Sequence, residues 1–105
     1  MPDSHEMYNE AQKLKDGGKL EEAIAKLQEL LAADEGFSLA HSALAVLYGR
    51  VGRHPDAVRH AQRVCELEPK DPFSYTALSV TCQRAGLIPE AEDAMARARM
   101  LQQGF

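Results

Sequence analysis

Four histidines, two cysteines and a surplus of carboxylates are the side chains in this chain with the chemistry to bind a metal or attack a substrate. Two imidazoles chelate a metal from one helix when they stand four residues apart, on the same face. His54 and His60 are six apart, and His5 and His41 fall in other segments, so their spacing gives no such pair. Nucleophilic catalysis needs a Ser or Cys beside a base and an oxyanion site. Cys65 and Cys82 instead occupy apolar positions of a helical pattern and are expected to be buried free thiols rather than a disulfide or metal pair. Glu21, Glu22, Glu90, Glu92 and Asp93 fall at the starts of helical segments, where negative charge complements the helix dipole. No catalytic residue, metal site or cofactor is expected, and the chain is not read as an enzyme.

The elements that must position these side chains follow a strict period. Three 34-residue frames laid end to end run Ser4–Phe37, Ser38–Asp71 and Pro72–Phe105. In that register Ala23, Ala57 and Ala91 coincide, as do Gly18, Gly52 and Gly86. So do Leu14, Tyr48 and Cys82, and likewise Ala11, Ala45 and Ser79. Small residues recur where helices must touch and larger ones where a core must be filled, which points to one supersecondary unit used three times. Apolar spacing of three and four, with glycines in the intervening turns, predicts six helices. The first runs from about Ser4 to Asp16 and the second from about Leu20 to Ala33. Pro55 and Pro89 suit first turns, and Asp71 followed by Pro72 reads as an N-cap and first-turn proline.

These columns resemble the tetratricopeptide repeat (TPR), a helix-turn-helix unit with a small residue at its eighth position, Gly at its fifteenth, Ala at its twentieth and often Pro at its thirty-second. The middle frame matches best, with Leu44, Ala45, Tyr48, Gly52, Ala57, Val64 and Pro69 in register. The first frame departs at Glu10 and Glu35, the third at Cys82 and Gln103. The resemblance covers nearly the whole chain. It implies an all-α fold, a single domain over residues 1–105 in which three antiparallel helix pairs stack into a right-handed superhelical solenoid. It also implies that the first helix of each pair lines a concave face used for binding. On this chain that face would carry Tyr8, Gln12 and Lys15, then Leu39, Val46 and Arg50, then Phe73, Val80, Gln83 and Arg84. An apolar strip flanked by cations would suit a peptide or helix with apolar and acidic residues. Leu39 and Phe73 have an alternative use, sealing one repeat against the next.

Relatives in that family that hold acidic chaperone tails do so with a clamp of Lys and Asn, then Asn, then Lys and Arg. The corresponding positions here are Tyr8, Gln12, Ala43, Phe73 and Ala77, none of which matches. A chaperone-tail adaptor of that type is therefore not expected. The leading expectation is an adaptor that binds another protein in its groove.

The formal charge of −4 argues against a duplex nucleic-acid surface, which needs a concentrated basic face. No apolar run is long enough for a bilayer and no signal segment opens the chain, so a cytoplasmic protein is expected. The last helix raises a second functional class. Met95, Ala98, Leu101 and Phe105, with Ala94, are expected to leave an apolar end face, on which a second copy would dock as a homodimer. Acids outnumber bases in the first frame but not in the others, which permits head-to-tail contact or is simply solubilising charge.

Overall fold

The computed structural model describes residues 3–104, and these residues fold as six α-helices. They are α1 Ser4–Asp16, α2 Leu20–Ala33, α3 Ser38–Arg50, α4 His54–Leu67, α5 Pro72–Arg84 and α6 Ile88–Gln102. Helices pack as the pairs α1/α2, α3/α4 and α5/α6, and the pairs stack through α2 on α3 and α4 on α5. The result is an all-α helical solenoid of three helix-turn-helix units. Among the described residues, no helix is long and apolar enough to cross a membrane.

One turn chemistry makes all three pairs. Gly18, Gly52 and Gly86 hold φ of 79°, 81° and 80°, a left-handed conformation that an L side chain adopts only at a cost. The reversal lets the next amide reach back to the preceding helix: Lys19 N–H to the Leu14 carbonyl, Arg53 to Tyr48 and Leu87 to Cys82, at 2.8, 2.8 and 2.9 Å. This is a Schellman closure repeated in register, and it fixes where each partner helix starts. The opposite ends of the first two pairs are clasped by a second repeated contact. Ser4 donates to Asp34 at 2.7 Å and Ser38 to Glu68 at 3.2 Å. The third pair has Pro72 and Gln102 at those positions and lacks the clasp. Asp71 instead caps α5, its carboxylate accepting from the Phe73 amide.

The core is uneven along the solenoid. Tyr48, Leu27, Leu30, Leu44 and Leu47 are the large side chains sealed from solvent, all in the first two units. Around them pack Met7, Ile24 and Ala40, with Phe37 and Leu31 at the margin. A second cluster of Val58, Cys82 and Ala91, backed by Leu78 and Ala85, joins the second unit to the third. Buried positions of the third unit are otherwise small: Ser74, Ser79, Ala94 and Ala98. Small side chains permit close helix approach, and the buried Ser79 hydroxyl donates to the Ala91 carbonyl across that approach at 2.7 Å. Both cysteines are buried free thiols, as expected. Burial pushes the Cys65 thiol up to about 11, and the neighbouring Cys82 adds to the shift. Neither reacts readily as a thiolate.

Candidate functional site

The first helices α1, α3 and α5 lie side by side and form one face of the solenoid. Helical period explains which of their side chains face outward. In α3, Leu44, Leu47 and Tyr48 turn into the core, so Ser42, Val46, Gly49 and Arg50 take the remaining faces. Val46 is 53 % exposed although it is apolar and mid-helix. It lies where three depressions of this face meet. One, of about 200 Å³, runs to Tyr8, Gln12 and Lys15 on α1. A second, of about 230 Å³, runs to Phe73, Ala77 and the Glu68 and Asp71 carboxylates. The third, of about 220 Å³, runs to Gly49, His54, Val80 and Arg84. The three adjoin at Val46 and form a largely apolar groove lined by α1, α3 and α5, with Ala61 and Val64 of α4 in the second depression.

Seven of the ten residues expected on this face therefore come together around the groove: Tyr8, Gln12, Lys15, Val46, Phe73, Val80 and Arg84. Leu39, Arg50 and Gln83 are exposed but border none of the three depressions. Leu39 and Phe73 do not seal neighbouring repeats. Phe73 is 74 % exposed and Leu39 is half exposed, because each occupies the second residue of its helix and projects beyond the inter-repeat contact. His5, at the matching position of α1, packs edge-on against Phe37 instead.

The C-terminal face differs from the expectation. Ala98 is 1 % exposed and Ala94 is buried too, because both turn inward beside Ala91, and neither offers surface to another chain. Met95 and Leu101 are half-buried, and Phe105 lies outside the described residues. The exposed apolar side chains of the third unit are instead Leu87, Ile88 and Met100, besides Phe73 and Val80 of the groove.

Histidines separated in sequence do meet in space, at a depression that shares no lining residue with the groove. His41 of α3 and His60 of α4 bring their Nδ1 atoms to 2.9 Å. His41 Nε2 lies 2.8 Å from the Glu35 carbonyl, which can only accept, so that nitrogen carries its proton. His41 Nδ1 is then the acceptor and His60 Nδ1 the donor. Tyr48 stacks on His60 and accepts from Gln28 Nε2, while the Arg53 guanidinium lies 4.6 Å above the Tyr48 ring. Arg63 clamps the Glu35 carboxylate at 2.6 and 2.7 Å, and this pairing holds Glu35 below the usual carboxylate range. Burial above all, with the neighbouring Arg59 guanidinium adding to it, holds the His60 imidazole down at about 4. The cluster ties the α2–α3 loop to α4, and its signal in the sequence was the 19-residue separation of His41 and His60, which is long-range and invisible to helical spacing. Among the described residues, no group of three or more His, Cys, Asp or Glu side chains converges as a metal cage.

Comparison with known proteins identifies the class of fold. No protein-family model and no curated protein matches the chain. Solved structures do. MamA superposes with a TM-score of 0.87 at 19 % identity, covering 96 % of this chain and 59 % of MamA. The second TPR of Spaghetti (RPAP3), bound to the HSP90 peptide SRMEEVD, gives 0.82 at 17 % identity over 93 % of this chain and 91 % of that one. YrrB, a TPR protein with an unusual peptide-binding site, gives 0.84 at 17 % identity over 99 % of this chain and 54 % of YrrB. The chain thus spans little more than half the length of MamA and YrrB. Its fold is that of the tetratricopeptide repeat, three units long.

Proposed function

We propose that this chain is a protein-interaction module, without a catalytic role, that takes a segment of another protein into the groove centred on Val46. The observation that carries the reading is the exposure of Val46 at the junction of three apolar depressions on one face. Water held over such a surface is released when a partner covers it, at about 25 cal/mol per Å² of apolar area. Lys15 and Arg84 border the same groove, so the partner carries acidic groups beside its apolar anchors. Peptide-bound and peptide-binding neighbours of the same fold support an interaction role. A chaperone-tail clamp is not the mode proposed, since Tyr8, Gln12, Ala43, Phe73 and Ala77 stand at the positions that the sequence resemblance assigns to such a clamp.

The test is partner capture by the intact chain beside a folded Val46→Glu, Val80→Glu, Arg84→Glu variant. A partner held by the first and lost by the second supports the groove. A partner held equally by both moves the function elsewhere. Self-association through the α6 end is the second reading, favoured by the exposure of Ile88 and Met100 and by half-exposed Met95 and Leu101. It requires apparent mass in solution to rise with concentration and to fall with Met95→Glu or Leu101→Glu.

A further inference from the structure

The outer face of α6 carries one acid and one base where the other second helices carry packing side chains. Val58 and Cys65 stand 34 residues before Glu92 and Arg99, and Ile24 and Leu31 stand 34 residues before those. Val58 joins the second unit to the third through Cys82 and Ala91. Glu92 and Arg99 are both exposed, and neither forms an ion pair among the described residues. Exposed Ile88 and half-buried Met95 share their side of the helix, because residues four and seven apart recur on one face. Ala91, Ala94 and Ala98 turn into the helix pair instead.

The order and spacing of the two charges select what can cover this face. They lie about 10 Å apart along the axis, two turns of helix. An apolar stacking surface would desolvate both and pair neither. A parallel copy of the same helix would set acid on acid and base on base. An antiparallel copy, related by a two-fold axis, sets acid on base at both places. The axis then passes midway between the charges, between Met95 and Ala96. Each Met95 meets the other copy's Ala96, whose exposed side chain is small enough to let helices approach to about 8–10 Å. Ile88 reaches the far end of the opposing helix, beside Gln103.

We propose that two copies of this chain pair through α6, antiparallel about a two-fold axis between Met95 and Ala96, with Glu92 of each copy bridged to Arg99 of the other. Ile88 and Met95 supply the apolar contact, and the exchanged charges fix its register and direction. This rests on the second reading above, self-association through α6, and adds the symmetry and the residues that set it.

Sedimentation equilibrium of the full chain at low salt, beside charge-reversed variants whose helicity is checked by circular dichroism, tests it. The intact chain is expected to reach the mass of a dimer and stop there. Glu92→Arg leaves only bases at the two contacts and Arg99→Glu only acids, so each alone weakens its own dimer about tenfold or more. Mixed in equal amounts, these two variants recover a dimer of one each, because every contact is again acid on base. The chain carrying both substitutions dimerises by itself for the same reason. A dimer that survives both single reversals, or a mixture that stays monomeric, overturns this arrangement and leaves self-association standing. Mass that climbs past the dimer replaces the two-fold axis by head-to-tail stacking and overturns it too. An intact chain that is monomeric at every concentration overturns both the arrangement and the self-association reading.

Discussion

Two glycines three residues apart are expected to answer alanine with opposite signs. Gly49 lies in the last turn of α3, and Gly52 holds φ of 81° in the turn that follows. A Cβ built at either meets no atom within 4 Å, so backbone preference alone decides the outcome. Left-handed backbone costs an L residue about 1–2 kcal/mol, which Gly52→Ala would incur. Gly49→Ala sits in helical backbone and restricts the unfolded chain, stabilising by about 0.5–1 kcal/mol. With an unfolding entropy of about 2.1 cal/mol/K per residue, the 105 residues move their midpoint by roughly 4–5 °C per kcal/mol. Thermal melts by circular dichroism should therefore fall by about 5–9 °C for Gly52→Ala and rise by about 2–5 °C for Gly49→Ala. A shift of the same sign in both variants would refute the argument that conformation, not space, governs these sites. Gly49 also borders the groove depression shared with Val80 and Arg84, so the stabilised variant should bind its partner less well.

Leu27 is sealed from solvent in the core of the first two units, and Leu27→Ala should cost about 2–5 kcal/mol, read as a lower urea midpoint at unchanged slope. His60 gives a pH dependence whose sign follows from its depressed value of about 4 against 6.5 when unfolded. Between those values the unfolded chain binds more protons, so this stability is complete above pH 6.5 and lost as pH falls toward 4, by roughly 1–2 kcal/mol once partial exposure is discounted. Urea titrations of His60→Gln should lack that slope, and an unchanged slope places its origin elsewhere. Hydrogen exchange should be fastest in α6, since the third unit buries only small side chains and lacks the serine clasp; protection equal to that of α3 contradicts this.

Local signals carried most of the fold. The glycine column, the alanine column and the Asp71-Pro72 start all state where a helix turns or begins, and each is decided within a few residues of chain. The exposure of Val46 was legible for a related reason: once Leu44, Leu47 and Tyr48 are assigned to the core, the helical period leaves Val46 no other place than the surface. What escaped were relations between distant segments. His41 and His60 meet only because α3 and α4 pack antiparallel, so their spacing along one helix carried no information. Ala98 failed for the opposite reason. An alanine counts as apolar in a pattern, but whether it faces its own pair or open solvent depends on a rotation of about one residue around α6.

That rotation also bears on the choice between groove and end face. The stacking surface of a unit is made by fixed positions of its second helix. Ile24 and Leu31 fill two of them in α2, and Val58 and Cys65 fill them in α4. Val58 packs with Cys82 and Ala91 of the third unit, so these positions do join unit to unit. In α6 the same two positions hold Glu92 and Arg99, both exposed. A further unit, or a second copy docking in the manner of a repeat, would have to desolvate both charges, and a buried charge without a partner is costly. Met95 and Leu101 stand beside them only half exposed. Leu39, Val46, Phe73 and Val80 are thus exposed on first helices, away from the stacking positions, while the two stacking positions of α6 are charged and the other large exposed apolar side chains of the third unit are Leu87, Ile88 and Met100. The same 34-residue period that builds the solenoid therefore separates the positions that stack unit on unit from those that line the groove.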